Sequence, residues 1–125
     1  MTIKPAVGSL ICRSVTEAGG REVCGYLTLD LGMQQAFHRI TNRSVEPDNF
    51  WISRVDSRRF MKKAARQNLR VLAFLHSHRS SLELSRQDKI SLDDSEVPWI
   101  VVAVVNGQLF SKVYYPESLR PQEVA

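Results

Sequence analysis

The sequence predicts a mixed α/β fold, a mostly antiparallel sheet of about six strands carrying two helices. Three observations lead there. Short β-prone runs recur along the whole chain, one segment in the middle changes to a helical period, and Asn106-Gly107 joins two β-prone runs at the end. An Asn-Gly pair in that setting marks a two-residue hairpin, because a type I′ turn needs positive φ at both central positions. Strands and helices do not alternate regularly, so a mixed sheet is expected rather than a doubly wound parallel one.

The elements follow in order. Val7 to Val15 is mostly apolar and β-prone, and reads as a strand followed by a Gly19-Gly20 turn. Val23 to Leu29 is a second strand, ending at Asp30-Leu31-Gly32, and Gln35 to Ile40 a weaker third. Asn42 to Asn49, with Pro47, is loop, and Phe50 to Ser53 is short and extended. From Asp56 to Asn68 the spacing of Phe60, Ala64 and Leu69 predicts an amphipathic helix. Val71 to Leu75 is continuously apolar, as in a strand buried on both faces. Ser85 to about Leu92 forms a short helix with Ser85 as N-cap. Pro98 leads into the strand Trp99 to Val105, and Gln108 to Tyr115 is the last strand. One domain is expected over residues 1–115, followed by a loosely held polar tail, 116–125.

Composition excludes several classes. With 125 residues the chain holds one core, and 43% apolar with 24% charged residues is ordinary for a globular domain. The longest apolar run, Trp99 to Val105, has seven residues, too few for a membrane helix. Met1 to Pro5 shows no signal-peptide pattern, and Cys12 and Cys24 read as reduced thiols, so a cytoplasmic protein is expected. The net charge of +4 permits an acidic partner without demanding one. Arg58, Arg59, Lys62, Lys63 and Arg66 fall on one helical stripe, which reads as a solvated face, with a partner surface as the alternative.

The chemistry concentrates at His76-Ser77-His78 and Ser85-Arg86-Gln87-Asp88. Residues i and i+2 of an extended chain share a face, so a rigid strand end delivers two imidazoles together. Asp88, ten residues on, can supply a third corner, while Ser85-x-x-Asp88 also has the form of a helix capping box. Two histidines and a carboxylate leave a fourth zinc position open, the catalytic arrangement. A base must still take a proton from the bound water, and Glu22, opening the second strand before Cys24-Gly25, is the candidate.

Glu22-x-Cys24-Gly25-Tyr26-Leu27, then Asn42 with Pro47 and Phe50, an amphipathic helix, a buried strand into His76-Ser77-His78, and Ser85-x-x-Asp88 together resemble the JAMM metalloproteases, the JAB/MPN+ domains, in their compact prokaryotic form. The resemblance spans Val7 to Tyr115 and implies a cytidine-deaminase-like architecture. It implies one Zn2+ per chain held by His76, His78 and Asp88, Glu22 activating the water, and Ser85 hydrogen-bonding the oxyanion. It further implies a peptidase or isopeptidase cleaving after the C-terminal tail of a ubiquitin-like protein, or of its conjugate, with activating E1/E2-like pathway proteins as further partners. No membrane or nucleic-acid partner is expected. A phage-tail-like peptidase, or a non-catalytic scaffold binding an acidic partner or nucleic acid through the basic stripe, are the alternatives.

Four departures from the family pattern stand out. Arg79 replaces the usual Pro, and six residues rather than seven separate His78 from Ser85. The family's first helix is not expected in the β-branched Ile11 to Gly20, and Lys89 to Pro98 is too short for a substrate-gripping insertion. His38 reads as a strand-surface residue, Asn42-Arg43-Ser44 as loop despite its sequon form, and Trp51 and Trp99 as core or platform residues.

Overall fold

A computed structural model describes residues 1–120. The chain opens with helix α1 (Pro5–Glu17), where the sequence predicts a strand. Pro5 sits in the first turn, where its missing N–H costs nothing, and the buried Val7 and Ile11 and the partly buried Val15 recur every fourth residue as one stripe facing the core. That stripe outweighs the β-branched composition. Gly19-Gly20, with φ of 61° and 93°, stops the helix and makes no strand turn.

The sheet has five strands in the order β2-β1-β3-β4-β5. They are β1 (Cys24–Leu29), β2 (Gln35–Ile40), β3 (Arg70–Ser77), β4 (Trp99–Val105) and β5 (Gln108–Tyr114). All neighbours pair antiparallel except β3 and β4, which are parallel and joined through helix α3 (Arg86–Asp93). The expected mixed, mostly antiparallel sheet is therefore present, with five strands and three helices instead of six and two. Phe50 to Ser53 joins no strand. Helix α2 (Arg54–Arg66) begins two residues earlier than predicted, because Ser53 caps it by accepting from the Asp56 N–H. The hairpin turn is as predicted, with positive φ at Asn106 and Gly107.

Alternation along the strands divides the core. Val23, Leu27, Leu75, Ile100 and Val102 pack with α1 on one face. Cys24, Tyr26, Phe74 and Trp99 pack with Phe60, Ala64 and Leu92 of the other helices. A Cβ on Gly25 would collide with the His38 carbonyl, so only glycine lets β1 and β2 approach this closely. At the start of the expected tail Pro116 is fully buried, and Glu117–Leu119 forms an exposed 3-10 turn. Residues 121–125 lie outside the described chain.

Candidate metal centre

β3 runs two residues beyond the predicted end, so His76 lies inside the strand. Phe74 and His76 share the aromatic face, while Leu75 and Ser77 turn to the other. The strand hydrogen bonding continues, with His78 N–H donating to the Val102 carbonyl at 2.8 Å. His76 is fully buried against Phe50 (4.8 Å between ring centres) and the edge of Trp99 (5.2 Å). Trp99 is thus a core residue, whereas Trp51 is exposed.

The capping box holds the third group. Ser85 Oγ accepts from the Asp88 N–H at 3.0 Å, and Asp88 Oδ2 accepts from the Ser85 N–H at 3.1 Å. That same oxygen lies 3.3 Å from His76 Nε2 and 3.1 Å from His78 Nε2, and the two nitrogens are 3.2 Å apart. The six-residue loop before Ser85 therefore still brings Asp88 to both imidazoles.

Donors around a tetrahedral zinc, with bonds of about 2.0–2.1 Å, stand roughly 3.3–3.4 Å apart. The observed triangle nearly has those edges, so His76, His78 and Asp88 fit three corners of such a site. Glu22 completes the cluster from farther out. Its Oε1 is 4.0 Å from His78 Nε2, and Glu22, His76 and His78 each offer a donor atom within 4.8 Å of the others. Glu22 Oε1 and His76 Nδ1 are buried without a hydrogen-bond partner. The unpaired Glu22 oxygen beside converging donors fits a site built around a cation and its water.

Electrostatics agree. Burial raises the Glu22 pKa to about 7, against the pull of His78, with Asp88 and Asp48 pushing the same way as burial. Burial holds His76 below the ordinary imidazole value, and the hydrogen bond with Asp88 holds His78 above it. Burial opposes ionisation of Asp88, but hydrogen bonds with both imidazoles and the Ser85 backbone outweigh it and keep the carboxylate ionised. His38 is no part of this cluster; its Nε2 bonds Thr28 Oγ1 at 2.9 Å.

Asn42 does more than the sequence showed. Its Nδ2 donates to the Glu22 carbonyl at 2.9 Å and the Asn49 carbonyl at 3.0 Å, while Oδ1 accepts from Ser44 and Trp51. Glu22 N–H donates to the Pro47 carbonyl, so one loop clamps the Glu22 backbone on both sides. Ser77 Oγ accepts from Val23 N–H at 2.8 Å and ties that segment to β3. An Asn opening a Pro-containing loop was the available signal for the clamp; nothing local marks Ser77.

Two clefts meet at Glu22, His78 and Arg79. One, about 410 Å3, reaches past Arg21 to Val15 and Val104; the other, about 300 Å3, reaches past Asp48 to Glu83 and Ser85. Arg79 Nε spans the junction, 3.3 Å from the Gly20 carbonyl and 3.1 Å from Asp48 Oδ1. Ser85 is exposed, and accepting through Oγ leaves its hydroxyl proton free to donate. Arg58, Arg59, Lys62, Lys63 and Arg66 are all exposed along α2 and take no part in the cluster of Glu22, His76, His78 and Asp88.

Residues 5–115 match the family described as prokaryotic homologs of the JAB domain. No curated protein matches the chain. Several solved structures share its fold. A solution structure of a Desulfitobacterium hafniense protein has a TM-score of 0.73 at 16% identity, covering 88% of this chain and 80% of that one. A Salinibacter ruber protein gives 0.60 at 22% identity, covering 99% and 97%. A JAB1/MPN domain protein from Archaeoglobus fulgidus gives 0.54 at 18% identity, covering 92% and 89%. The five-stranded mixed sheet and the match over nearly its whole length place this chain in the prokaryotic JAB-domain family.

Proposed function

We propose that the chain is a zinc-dependent peptidase or isopeptidase that cleaves after the C-terminal tail of a ubiquitin-like protein. The observation that carries the reading is the triangle of His76, His78 and Asp88, with edges of 3.1–3.3 Å, beside an unpartnered buried Glu22 oxygen. Zinc bound there would supply a water acidified from a pKa of 15.7 to about 7 and a Lewis acid for the scissile carbonyl. The remaining work falls to the protein. Glu22 is raised toward neutrality, so it can accept a proton from the attacking water and return one to the leaving nitrogen. The Asn42 clamp fixes its backbone, limiting the positions its carboxylate samples. Ser85 directs its free O–H toward the carbonyl oxygen as negative charge develops there. The two clefts give the chain on either side of the scissile bond separate places to lie. Among the described residues no helix is long and apolar enough to cross a membrane.

Metal analysis and turnover together test the reading. After zinc-replete purification we expect about one zinc per chain, and cleavage of a ubiquitin-like protein fused through its C-terminus to a reporter. Absence of zinc favours a non-catalytic role for the domain, and a zinc-loaded protein that leaves every such fusion intact excludes the ubiquitin-like substrate.

A further inference from the structure

We propose that β5 is a dimerisation edge, pairing antiparallel with β5 of a second copy about a twofold axis at Ser111. β5 ends the sheet, so no other strand among the described residues uses its outer backbone groups. Its pairing with β4 runs without a bulge from Tyr114 to Gln108. The strand carries no proline and a single charge, Lys112. Solitary edges are ordinarily blunted by such devices, and β5 lacks most of them. The opposite edge differs: β2 carries His38 and Arg39, and its Gln35 side chain bonds Thr2 and Lys4.

The occupant follows from self-complementarity. A twofold at Ser111 sets Leu109 opposite Val113 of the second copy, joining two partly buried members of the α1-side core. On the other face it sets Phe110, 44% exposed, opposite Lys112 of the second copy, whose Nζ now lies 3.4 Å from Glu83 Oε1 and 5.1 Å from the Tyr114 ring centre and would turn to the new ring, twice per dimer. Just beyond the strand end it brings Tyr115, 40% exposed, alongside the turn that carries Gly107 of the second copy. Gly107 borders a groove of about 690 Å3, lined also by Gly8, Cys12 and Leu109, with room for that ring. An unrelated acidic or apolar strand would satisfy one of these pairings, whereas a second copy satisfies all three.

Sedimentation equilibrium of the zinc-loaded full chain, from micromolar to millimolar, tests this independently of catalysis. A concentration-dependent dimer is expected; a monomer throughout overturns the proposal. Phe110→Lys sets lysine against lysine and should weaken dimerisation roughly tenfold or more, since two cross-strand pairs are lost at about 0.2–1 kcal/mol each and repulsion is added. Lys112→Glu should weaken it as well. Mixing the two variants restores a Lys–Glu pair and a Lys–Phe pair, so native mass spectrometry should find the heterodimer in excess of either homodimer. A dimer unaffected by both variants lies elsewhere, and a mixture showing no preference for the heterodimer refutes the register. Should Phe110→Lys not fold, Tyr115→Ser joins Lys112→Glu, and wild-type affinity in both overturns the proposal.

Discussion

Leu75 and His76 are adjacent in β3 and equally buried, yet they serve opposite ends. Leu75 enters an aliphatic layer with Ile11, Leu27, Ile100 and Val102 under α1. His76 enters an aromatic layer, flanked by Phe50, Phe74 and Trp99. The first layer buries apolar surface with nothing polar to satisfy. The second encloses a cluster of titratable groups in rigid rings that keep its dielectric low. The cost sits at that end: among the described residues, the buried side-chain atoms without partners are Glu22 Oε1 and His76 Nδ1. One sheet thus separates stability from chemistry by the two-residue alternation of its strands.

The sharpest way to break this comparison is to truncate each neighbour. Leu75→Ala should cost about 2–5 kcal/mol in denaturant unfolding of the metal-free protein, while the folded fraction retains about one zinc. His76→Ala should reduce zinc to a small fraction of stoichiometry and abolish turnover, with native circular dichroism retained. If His76→Ala keeps its zinc, His76 leaves the ligand set and the division between faces fails.

Glu22→Gln separates the two roles within one residue. Zinc occupancy and substrate binding should persist, while turnover falls roughly 10²-fold or more, because a general base contributes about 10²–10⁴. Loss of zinc would instead make Glu22 a ligand. The same change should stabilise the metal-free fold. The folded pKa, about 7, lies above the ordinary value of 4.5. The unfolded chain therefore loses its proton first as pH rises, and the penalty grows from about pH 4.5 and is complete above about 7. Urea unfolding at pH 8 should show Glu22→Gln more stable by roughly 1–3 kcal/mol, a gain that fades toward pH 5. A constant difference across that range would locate the effect in packing. Zinc itself should be held less tightly below about pH 6, where protons compete for the imidazoles. His78, raised by its bond with Asp88, begins that competition at a higher pH than an ordinary histidine. Chelator competition measures it, and unchanged affinity at pH 5 argues against two histidine ligands.

The two layers were not equally legible in the sequence. Site residues such as His76, His78, Ser85 and Asp88 stand at short spacings along one strand end and one helix start, where local periodicity governs. The capping box follows from a local rule and is present, whereas β3, expected to end at Leu75, runs on to Ser77. α1 was misread because β-branched residues weigh equally in a propensity reading, whether or not they recur every fourth position; burial of Val7 and Ile11 against the sheet decided the matter. The Asn42 clamp and the Ser77 tie bridge segments 20 and 54 residues apart. Such pairings exist only after folding, so no window of sequence contains them.

The smallest expected effect on the fold lies farthest from both layers. α2 carries six basic residues and one acidic, a net +5, more than the +4 of the whole chain, so the remainder is slightly acidic. Yet Phe60 and Ala64 are its buried residues, and Arg58, Arg59, Lys62 and Lys63 are exposed. Reversing these four charges should leave unfolding free energy within about 0.5 kcal/mol per site, as for surface positions generally. Like charges four residues apart repel, so some relief is even expected. Association is a different matter. A field concentrated on one helix steers an approaching acidic surface and is screened over about 8 Å at physiological salt. Stopped-flow association with an acidic ubiquitin-like protein should therefore slow on charge reversal, and its dependence on salt should flatten. The dissociation rate and the zinc content should stay as they were. Unchanged association kinetics would make the stripe a solvated face.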